Sequence, residues 1–350
     1  MTIAREFVSL ASPTSARAGH GSNPCQGIYY TPDGSRPVVG LIATHYEIDF
    51  SEHYLAEPMA GRGFGFLGWN TRFRGLGSYF MLEPALVDIG VGVRWLRENG
   101  VRTVVLLGNS GGASLMSAYH ALSDEPGDLF ISLCAHPGRP EVLTAWMDPA
   151  VIDEGDPLST DERLDMFDPS NGPPYSTEFI DAYRAAQVAR NDRITAWAKH
   201  ELAELETRGM WDRLFNVYRT WADLRFLDLA IDPSDRTVGC YFGDPKRANS
   251  GPFGLAAAST LRSWLSMWSL AESRCRGAPN LANVTCPSMV IQSTADQGCY
   301  PSDAQAIFDA LGAPDKHLEL VPGDHYLLDP PDGRERVADL IADWLRDRVS

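Results

Sequence analysis

The stretch Val104-Val105-Leu106-Leu107-Gly108-Asn109-Ser110-Gly111-Gly112-Ala113-Ser114-Leu115 decides how this 350-residue chain is interpreted. An apolar run ends in Gly-x-Ser-x-Gly and passes into small residues that favour a helix. The pattern predicts a strand, a sharp turn and a helix, with Ser110 at the apex. A turn that pushes a hydroxyl out of its own backbone leaves no room for side chains two residues away, which explains Gly108 and Gly112. Ser110 is therefore the first candidate for a nucleophile.

A nucleophilic serine needs a base to take its proton and a carboxylate to orient that base. Both residue types follow downstream. A short apolar strand predicted over 288–293 leads to Asp296, and a second strand predicted over 317–321 leads to a loop that carries His325. Only His325 occupies a loop between the last strand and the last helix, so it is the preferred base.

Alternatives to both partners exist in the sequence. A helix predicted over 302–312, with Ser302 as its N-cap and Gly312 as its stop, places Asp303 in the first turn, where the helix dipole stabilises a carboxylate. Asp324 is the other rival acid, next to the candidate base. The remaining histidines are expected to be structural or solvated: His45, His53, His120, His136, His200 and His317.

In this order of serine, acid and histidine, each on a loop after a strand, the chain resembles the α/β-hydrolase superfamily over most of residues 26–136 and 284–348. The resemblance implies an α/β fold with a mostly parallel eight-stranded sheet and helices on both faces. It also implies that Ser110 is the nucleophile, His325 the general base and Asp296 the acid that orients the imidazole.

The negative charge that develops during serine attack must be met by two backbone N–H groups. The resemblance implies Gly111 as one donor and the loop after the third strand, predicted over 38–45, as the source of the other. In that loop Tyr46 and Glu47 replace the usual glycine, and the choice between them stays open. His45 is expected to hold the loop together by hydrogen bonds, and it is also a candidate pocket residue.

Residues 70–77 resemble the Asp-x-Arg-Gly-x-Gly turn common in the superfamily, with Asn70 at the acid position. We expect Arg72 to be a structural anchor. The role of Arg74 stays open, and Arg74 and Asn109 are candidate pocket residues.

Strands are predicted at 5–9 and 26–31 and helices at 53–62 and 82–98, where apolar residues recur at helical spacing. Alternating strands and helices imply a mostly parallel sheet. The alternation stops after a sixth strand predicted over 129–135.

The pattern then becomes helical, with helices predicted over 177–206, 208–227 and 254–273. Many α/β-hydrolases carry a cap over the active site at this point. Six of the nine tryptophans lie in the insertion, and Trp146 and Trp221 are candidate pocket residues. An aromatic roof suits a bulky, apolar small-molecule substrate. The predicted domains are 1–136 and 286–350 for the core and 137–285 for the cap.

Composition excludes several classes of protein. A net charge of −16 without a lysine or arginine cluster argues against a nucleic-acid partner. Six cysteines without a Cys-x-x-Cys pair imply neither zinc nor a disulfide framework. We expect no metal and no cofactor. The sequence lacks an 18-residue apolar run and a signal-like start, so we expect a cytoplasmic protein with no membrane partner. Assembly into a homo-oligomer stays open.

A serine in the elbow points away from epoxide hydrolysis and dehalogenation, which use an aspartate nucleophile. The sequence thus predicts a serine hydrolase that cleaves an ester, lactone or thioester through an acyl-enzyme. Two alternatives remain: hydrolysis of a carbon–carbon bond on the same triad, and a non-catalytic receptor for a small apolar ligand.

Overall fold

A mixed sheet of eight strands forms the centre of the molecule, as a computed structural model describes it for residues 2–13 and 24–349. The strands, with a separate two-stranded pair included as β7 and β8, are β1 (Ile3–Leu10), β2 (Cys25–Pro32), β3 (Val39–Ala43), β4 (Gly65–Asn70), β5 (Thr103–Asn109), β6 (Leu129–Leu133), β7 (Leu214–Asn216), β8 (Ala258–Thr260), β9 (Ser288–Ser293) and β10 (Lys316–Val321). The sheet order is β1-β2-β4-β3-β5-β6-β9-β10. β1 and β2 run antiparallel to their neighbours and the other pairs are parallel, which confirms the predicted sheet.

Helices lie on both faces of this sheet and in a segment inserted between β6 and β9. They are α1 (Ala56–Gly61), α2 (Leu82–Glu98), α3 (Gly112–Leu122), α4 (Arg139–Trp146), α5 (Thr177–Thr207), α6 (Pro245–Asn249), α7 (Leu261–Ser263), α8 (Gly277–Leu281), α9 (Pro301–Ala310) and α10 (Gly333–Arg346). Successive residues of β5 point to opposite faces. Val105 and Leu107 pack with α1 and α10, whereas Val104 and Leu106 pack with α2 and α3. The apolar run of β5 is therefore buried on both sides, as parallel central strands usually are.

The chain leaves the sheet after β6 and returns to it at β9. The intervening segment contains α4 to α8 and the antiparallel pair of β7 and β8. Trp146 and Trp264 of this segment are buried in the same apolar cluster as Val104 and Leu106 of the sheet. The insertion thus shares a core with the sheet. The predicted boundaries between core and cap stay predictions.

Two of the helices predicted for the insertion are wrong. Residues 208–227 hold β7 and a 3₁₀ turn at Leu224–Phe226, and residues 254–273 hold β8, α7 and a π-helical turn at Trp264–Trp268. In the first stretch, backbone carbonyls that a helix would use are bonded elsewhere. The guanidinium of Arg190 donates to the carbonyl of Tyr218 at 2.8 Å. The helix predicted over 177–206 is confirmed as α5.

The N-cap prediction for α9 is also wrong. Tyr300 precedes the helix, and its backbone N–H donates to the carboxylate of Asp303 at 3.1 Å. Ser302 lies one residue inside and hydrogen-bonds Asp232 instead. A Cβ on Gly312 would lie 2.2 Å from the carbonyl oxygen of Ala282, so that glycine is required by close packing.

Two further properties bear on function. All six cysteines lie in the described residues and are free thiols. Within those residues, no helix is both long enough and apolar enough to cross a bilayer.

Candidate active site

Ser110 stands at the sharp turn between β5 and α3. Its φ of 53° lies in the left-handed region, which is rare for a residue other than glycine. A Cβ on Gly108 would lie 2.3 Å from Cα of Ala113, and one on Gly112 would lie 2.3 Å from the carbonyl oxygen of Thr44. The two glycines are thus required by lack of space, as the sequence predicted, and the strained backbone holds the serine at the apex.

Asp296 and His325 are adjacent although 29 residues separate them in the chain. Asp296 Oδ2 lies 2.6 Å from His325 Nδ1, and both residues are buried. Asp296 Oδ1 accepts the backbone N–H groups of Gly298 and Cys299 at 2.8 and 2.9 Å. When Nδ1 donates to this carboxylate, Nε2 of the neutral imidazole is left free to accept a proton.

The rival residues are engaged elsewhere. Asp303 pairs with Arg225 at 3.4 Å, and Asp324 accepts the backbone N–H of Leu328 at 2.8 Å. His317 lies beside Glu319 on β10. Of the three candidate acids, Asp296 is the one that hydrogen-bonds His325.

A cavity of about 680 Å³ lies over the elbow, and Ser110 and His325 both line it. No hydrogen bond joins their side chains within the described ranges; such contacts are often loose before substrate binds. The cavity has the size of typical small-molecule sites. Other sequence-predicted residues that line it are His45, Tyr46, Glu47, Asn109, Trp146 and Trp221.

Arg74 is not among the residues that line this cavity. It borders a neighbouring one and forms an ion pair with Asp49 at 2.6 Å. Arg72, two residues earlier, makes a two-pronged ion pair with the fully buried Asp88, with both N–O distances 2.8 Å. Arg72 is therefore the structural anchor that the sequence predicted, and Asp88 of α2 is its partner.

The loop after β3 is held by a histidine. His45 Nδ1 accepts the backbone N–H groups of Glu47 and Ile48, each at 3.1 Å. Among residues 2–13 and 24–349, the backbone N–H groups of Tyr46 and Gly111 have no hydrogen-bond acceptor. The N–H of Glu47 is thus occupied, while those of Tyr46 and Gly111 are available to a ligand.

Three histidines near the serine are held neutral. Burial, with the nearby charge of Arg139 as a smaller cause, keeps the pKa of His45 and of His136 well below the usual range. Burial also lowers the pKa of His53 to about 4. His53 Nε2 lies 3.1 Å from Oδ1 of Asn109, whose amide nitrogen donates to the carbonyl of Leu133. Asn109 is thereby fixed directly before the serine.

Sequence reasoning missed Tyr241, which lies in the insertion. Its hydroxyl donates to Asp296 Oδ1 at 3.0 Å, and its oxygen also lies 3.0 Å from His325 Nδ1. Burial and the charge of Asp296 raise the pKa of Tyr241 well above its usual range, so it stays a donor. A Cβ on Gly298 would lie 2.3 Å from the tyrosine ring, which explains that glycine. Tyr241 lies in an irregular segment, where no periodic pattern marks it.

Arg139 and His136 were missed as well, and both line the cavity. They lie between the end of β6 at Leu133 and the start of α4, and polar residues soon after a central parallel strand meet at the carboxyl edge of the sheet. That position was the signal available in the sequence.

Three buried side chains near the serine have metal-ligand chemistry. Ligand atoms of Asp296, Cys299 and His325 lie within 4.8 Å of one another. Burial and the charge of Asp296 raise the pKa of the Cys299 thiol well above its usual range, whereas a metal ligand must be the thiolate. The Asp296 carboxylate already accepts hydrogen bonds from five donors. The group therefore fits a hydrogen-bond network better than a metal centre.

Several solved structures are similar to this protein over nearly the whole chain. The α/β hydrolase GrgF from Penicillium sp. sh18 superposes with a TM-score of 0.59 at 15% identity, over 98% of both chains. DcsB, solved in complex with its substrate analogue, superposes with a TM-score of 0.61 at 13% identity, over 99% of this chain and 100% of the DcsB chain. The esterase domain of a Rhodothermus marinus protein gives 0.51 at 14% identity over 99% of each.

By sequence, no family model matches the chain, and neither does any curated protein. At identities of 13 to 15%, structural likeness speaks for the fold. The sheet order, the serine elbow after β5 and these superpositions agree. The chain therefore has the α/β-hydrolase fold.

Proposed function

We propose that this protein is a serine hydrolase that cleaves an ester, lactone or thioester of a bulky, largely apolar small molecule. The observation that carries the proposal is the 2.6 Å contact between His325 Nδ1 and Asp296 Oδ2 beside a cavity that Ser110 also lines. A serine in strained left-handed geometry, an imidazole and a buried carboxylate are the parts of a nucleophilic triad.

In the proposed reaction, Ser110 Oγ attacks the carbonyl carbon of the substrate while His325 Nε2 takes the hydroxyl proton. Asp296 keeps the Nδ1 proton in place and stabilises the imidazolium that forms. His325 then gives the proton to the leaving alcohol or thiol, which departs from the tetrahedral intermediate. Water, deprotonated by the same imidazole, resolves the acyl-enzyme and restores the serine.

The oxyanion of the tetrahedral intermediate would be bound by the backbone N–H groups of Gly111 and Tyr46. Both lack another acceptor in the described ranges, whereas the N–H of Glu47 is taken by His45. We therefore favour Tyr46 over Glu47 as the second donor. One such donor typically contributes about 100- to 1,000-fold in kcat.

The cavity wall supports an apolar substrate. Trp146, Trp221, Phe242 and Phe253 line it, and the ring of Trp221 makes a tilted contact with Trp146 and an edge-on contact with Phe242. The partner that we propose is therefore a small apolar molecule, and the proposed reaction requires neither a nucleic acid nor a membrane.

The test is intact-mass spectrometry after treatment with a fluorophosphonate, followed by assays with p-nitrophenyl esters of increasing chain length. We expect one adduct on the wild type, its loss in Ser110→Ala, and turnover that depends on chain length. Ser114→Ala is the matched control, because Ser114 lies one turn along α3, is buried and does not line the cavity. That variant should keep the adduct.

Other outcomes separate the alternatives. A folded wild type with neither adduct nor turnover would contradict the proposal and favour a receptor. An adduct without ester turnover, together with cleavage of a vinylogous diketone, would favour a carbon–carbon bond hydrolase.

A further inference from the structure

Arg139 is a buried cation in the wall of the candidate active site. It is the first residue of α4, only 1% exposed, and it lines the cavity together with Ser110 and His325. A guanidinium keeps its charge in proteins, so this position places a full positive charge inside the chamber.

This charge lacks the partners that a buried arginine normally has. Its Nη1 donates to the hydroxyl of Tyr46 at 3.2 Å, and the guanidinium carbon lies 5.1 Å from the centre of the Tyr46 ring. Its Nε and Nη2 atoms are buried without a hydrogen-bond partner, and no carboxylate in residues 2–13 and 24–349 forms an ion pair with it. A buried charge without a counter-charge is costly, so such groups are usually paired.

Other arginines of the described residues that are buried or largely buried have hydrogen-bond partners, although not always a carboxylate. Arg236 donates to backbone carbonyls and to the hydroxyl of Ser234. Arg190 binds both carboxylate oxygens of Glu154 at 2.8 and 2.7 Å and donates its other N–H groups to backbone carbonyls. Arg72 binds Asp88 through two nitrogens. Arg139 therefore differs from these arginines, because two of its nitrogens have no hydrogen-bond partner and it lies in the wall of a cavity.

The position of Arg139 relates it to the reacting atoms. A Cβ added to Gly111 would lie 2.7 Å from Arg139 Nη1, so the guanidinium stands against the residue that follows the candidate nucleophile. An anionic group bound there would be only a few bonds from the carbonyl that Ser110 attacks.

The surroundings favour a single negative charge. His45 and His136 are neutral beside Arg139, so neither adds a second positive charge to this wall. Glu47, Asp49 and Glu52 also line the cavity, and acids there oppose a dianion such as a phosphoryl group. A carboxylate matches the planar fork of a guanidinium and carries one charge.

We propose that Arg139 binds a carboxylate carried by the acyl part of the substrate, so that the enzyme acts on monoanionic acyl compounds with an apolar body. This inference rests on the proposed hydrolase function for its catalytic consequence, but the binding itself does not require turnover.

The first experiment compares isosteric substrates on the wild type. The mono-p-nitrophenyl esters of succinate, glutarate and adipate are assayed beside the p-nitrophenyl esters of 4-methylpentanoate, 5-methylhexanoate and 6-methylheptanoate. In each pair a carboxylate replaces an isopropyl group of similar shape. We expect kcat/KM for the best acidic ester to exceed that of its neutral counterpart by at least about 30-fold, as for a desolvated charge pair. Equal values or a preference for the neutral esters in all three pairs would overturn the proposal.

The second experiment asks whether Arg139 carries this preference. Arg139→Met should abolish the preference while changing kcat/KM for the neutral ester far less, and Arg139→Lys should keep part of it. Arg334→Met is the matched control, because Arg334 also lines the cavity but is partly exposed and contacts the ring of Tyr54. An unchanged preference in Arg139→Met, or its loss in Arg334→Met alone, would overturn the assignment.

A binding measurement separates this inference from the proposed function. Ser110→Ala protein, which needs no turnover, is titrated with glutaramate, which carries one carboxylate and one amide, and with the neutral diamide glutaramide, and its thermal unfolding is followed. Glutaramate should raise the unfolding temperature and glutaramide should not, and the shift should vanish when Arg139→Met is added. If Arg139→Met does not fold, the carboxylate site is tested by Arg139→Lys and by the paired acidic and neutral esters on the wild type. If the ligand with the carboxylate binds but the wild type forms no fluorophosphonate adduct, the hydrolase function is contradicted and the carboxylate site is retained. If the two ligands shift the unfolding temperature equally, or neither does, the carboxylate site is overturned.

Discussion

The hydroxyl of Tyr241 lies 3.0 Å from Asp296 Oδ1, although 55 residues separate the two in the chain. Tyr241 belongs to the segment inserted between β6 and β9, and Asp296 follows β9. Its ring also lies 4.5 Å from the ring of His325. The inserted segment therefore contacts Asp296 and His325, the acid and the base of the proposed triad, besides lining the cavity.

Tyr241→Phe should lower kcat about 10-fold and leave KM nearly unchanged. The change removes one hydrogen bond to a charged carboxylate, and such bonds contribute about 1.5–3 kcal/mol. Steady-state kinetics on the best p-nitrophenyl ester provide the measurement. Tyr326→Phe is the matched control, since Tyr326 lines the same cavity and is half exposed. A change in KM alone would mean that Tyr241 contacts substrate and does not position Asp296.

Ser110→Gly should be more stable than Ser110→Ala by about 1 kcal/mol, because glycine adopts a φ of 53° without strain and alanine does not. Chemical denaturation of the two variants tests this. The same pair of substitutions at Ser114, in helix α3, should give the opposite order, since glycine destabilises a helix relative to alanine. The same order at both positions would argue against backbone strain at the elbow.

Stability should fall as the pH is lowered from 6.5 toward 4. His53 has a folded-state pKa of about 4, lowered by burial, against 6.5 for an ordinary histidine. Between pH 6.5 and pH 4, His53 therefore binds a proton in the unfolded chain but stays neutral in the folded protein. From pH 7.5 to pH 5 this costs about 2 kcal/mol for His53, and His45 and His136 act in the same direction.

Urea denaturation at pH 7.5 and pH 5 measures this loss. His53→Gln keeps a donor for Asn109 but no longer titrates, so its stability should depend on pH less steeply by about 2 kcal/mol over the interval. If the variant and the wild type lose the same stability, the neutral state of His53 is not the cause.

Asp88→Asn should destabilise the protein by about 3–5 kcal/mol, because it leaves Arg72 without its charge partner in a buried setting. In protein that remains folded, kcat should change little, since neither residue lines the candidate active site. Thermal unfolding and ester turnover are measured together. Asp161→Asn, which breaks the exposed pair with Arg163, is the control and should scarcely change stability. An equal effect of the two substitutions would refute the anchor role.

Local sequence patterns determined a large part of the fold. The glycines around Ser110 and the apolar run of β5 predict the elbow, because that turn excludes side chains at fixed offsets and a central parallel strand is buried on both faces. Helix α2 was predicted at its observed bounds, since its apolar residues recur at helical spacing. The positions of Asp296 and His325 on loops after β9 and β10 follow from the same alternation.

The inserted segment was predicted less well, and the reason is physical. Its two short strands pair with each other and its carbonyls bond Arg190, so distant contacts override the local helical pattern. Tertiary structure alone brought Tyr241 to Asp296, left the N–H of Tyr46 without an acceptor, and buried two nitrogens of Arg139 without a hydrogen-bond partner. The sequence determined which chemical groups stand at the ends of the strands. Which partners each group meets depends on packing between segments far apart in the chain, and only the tertiary structure decided that.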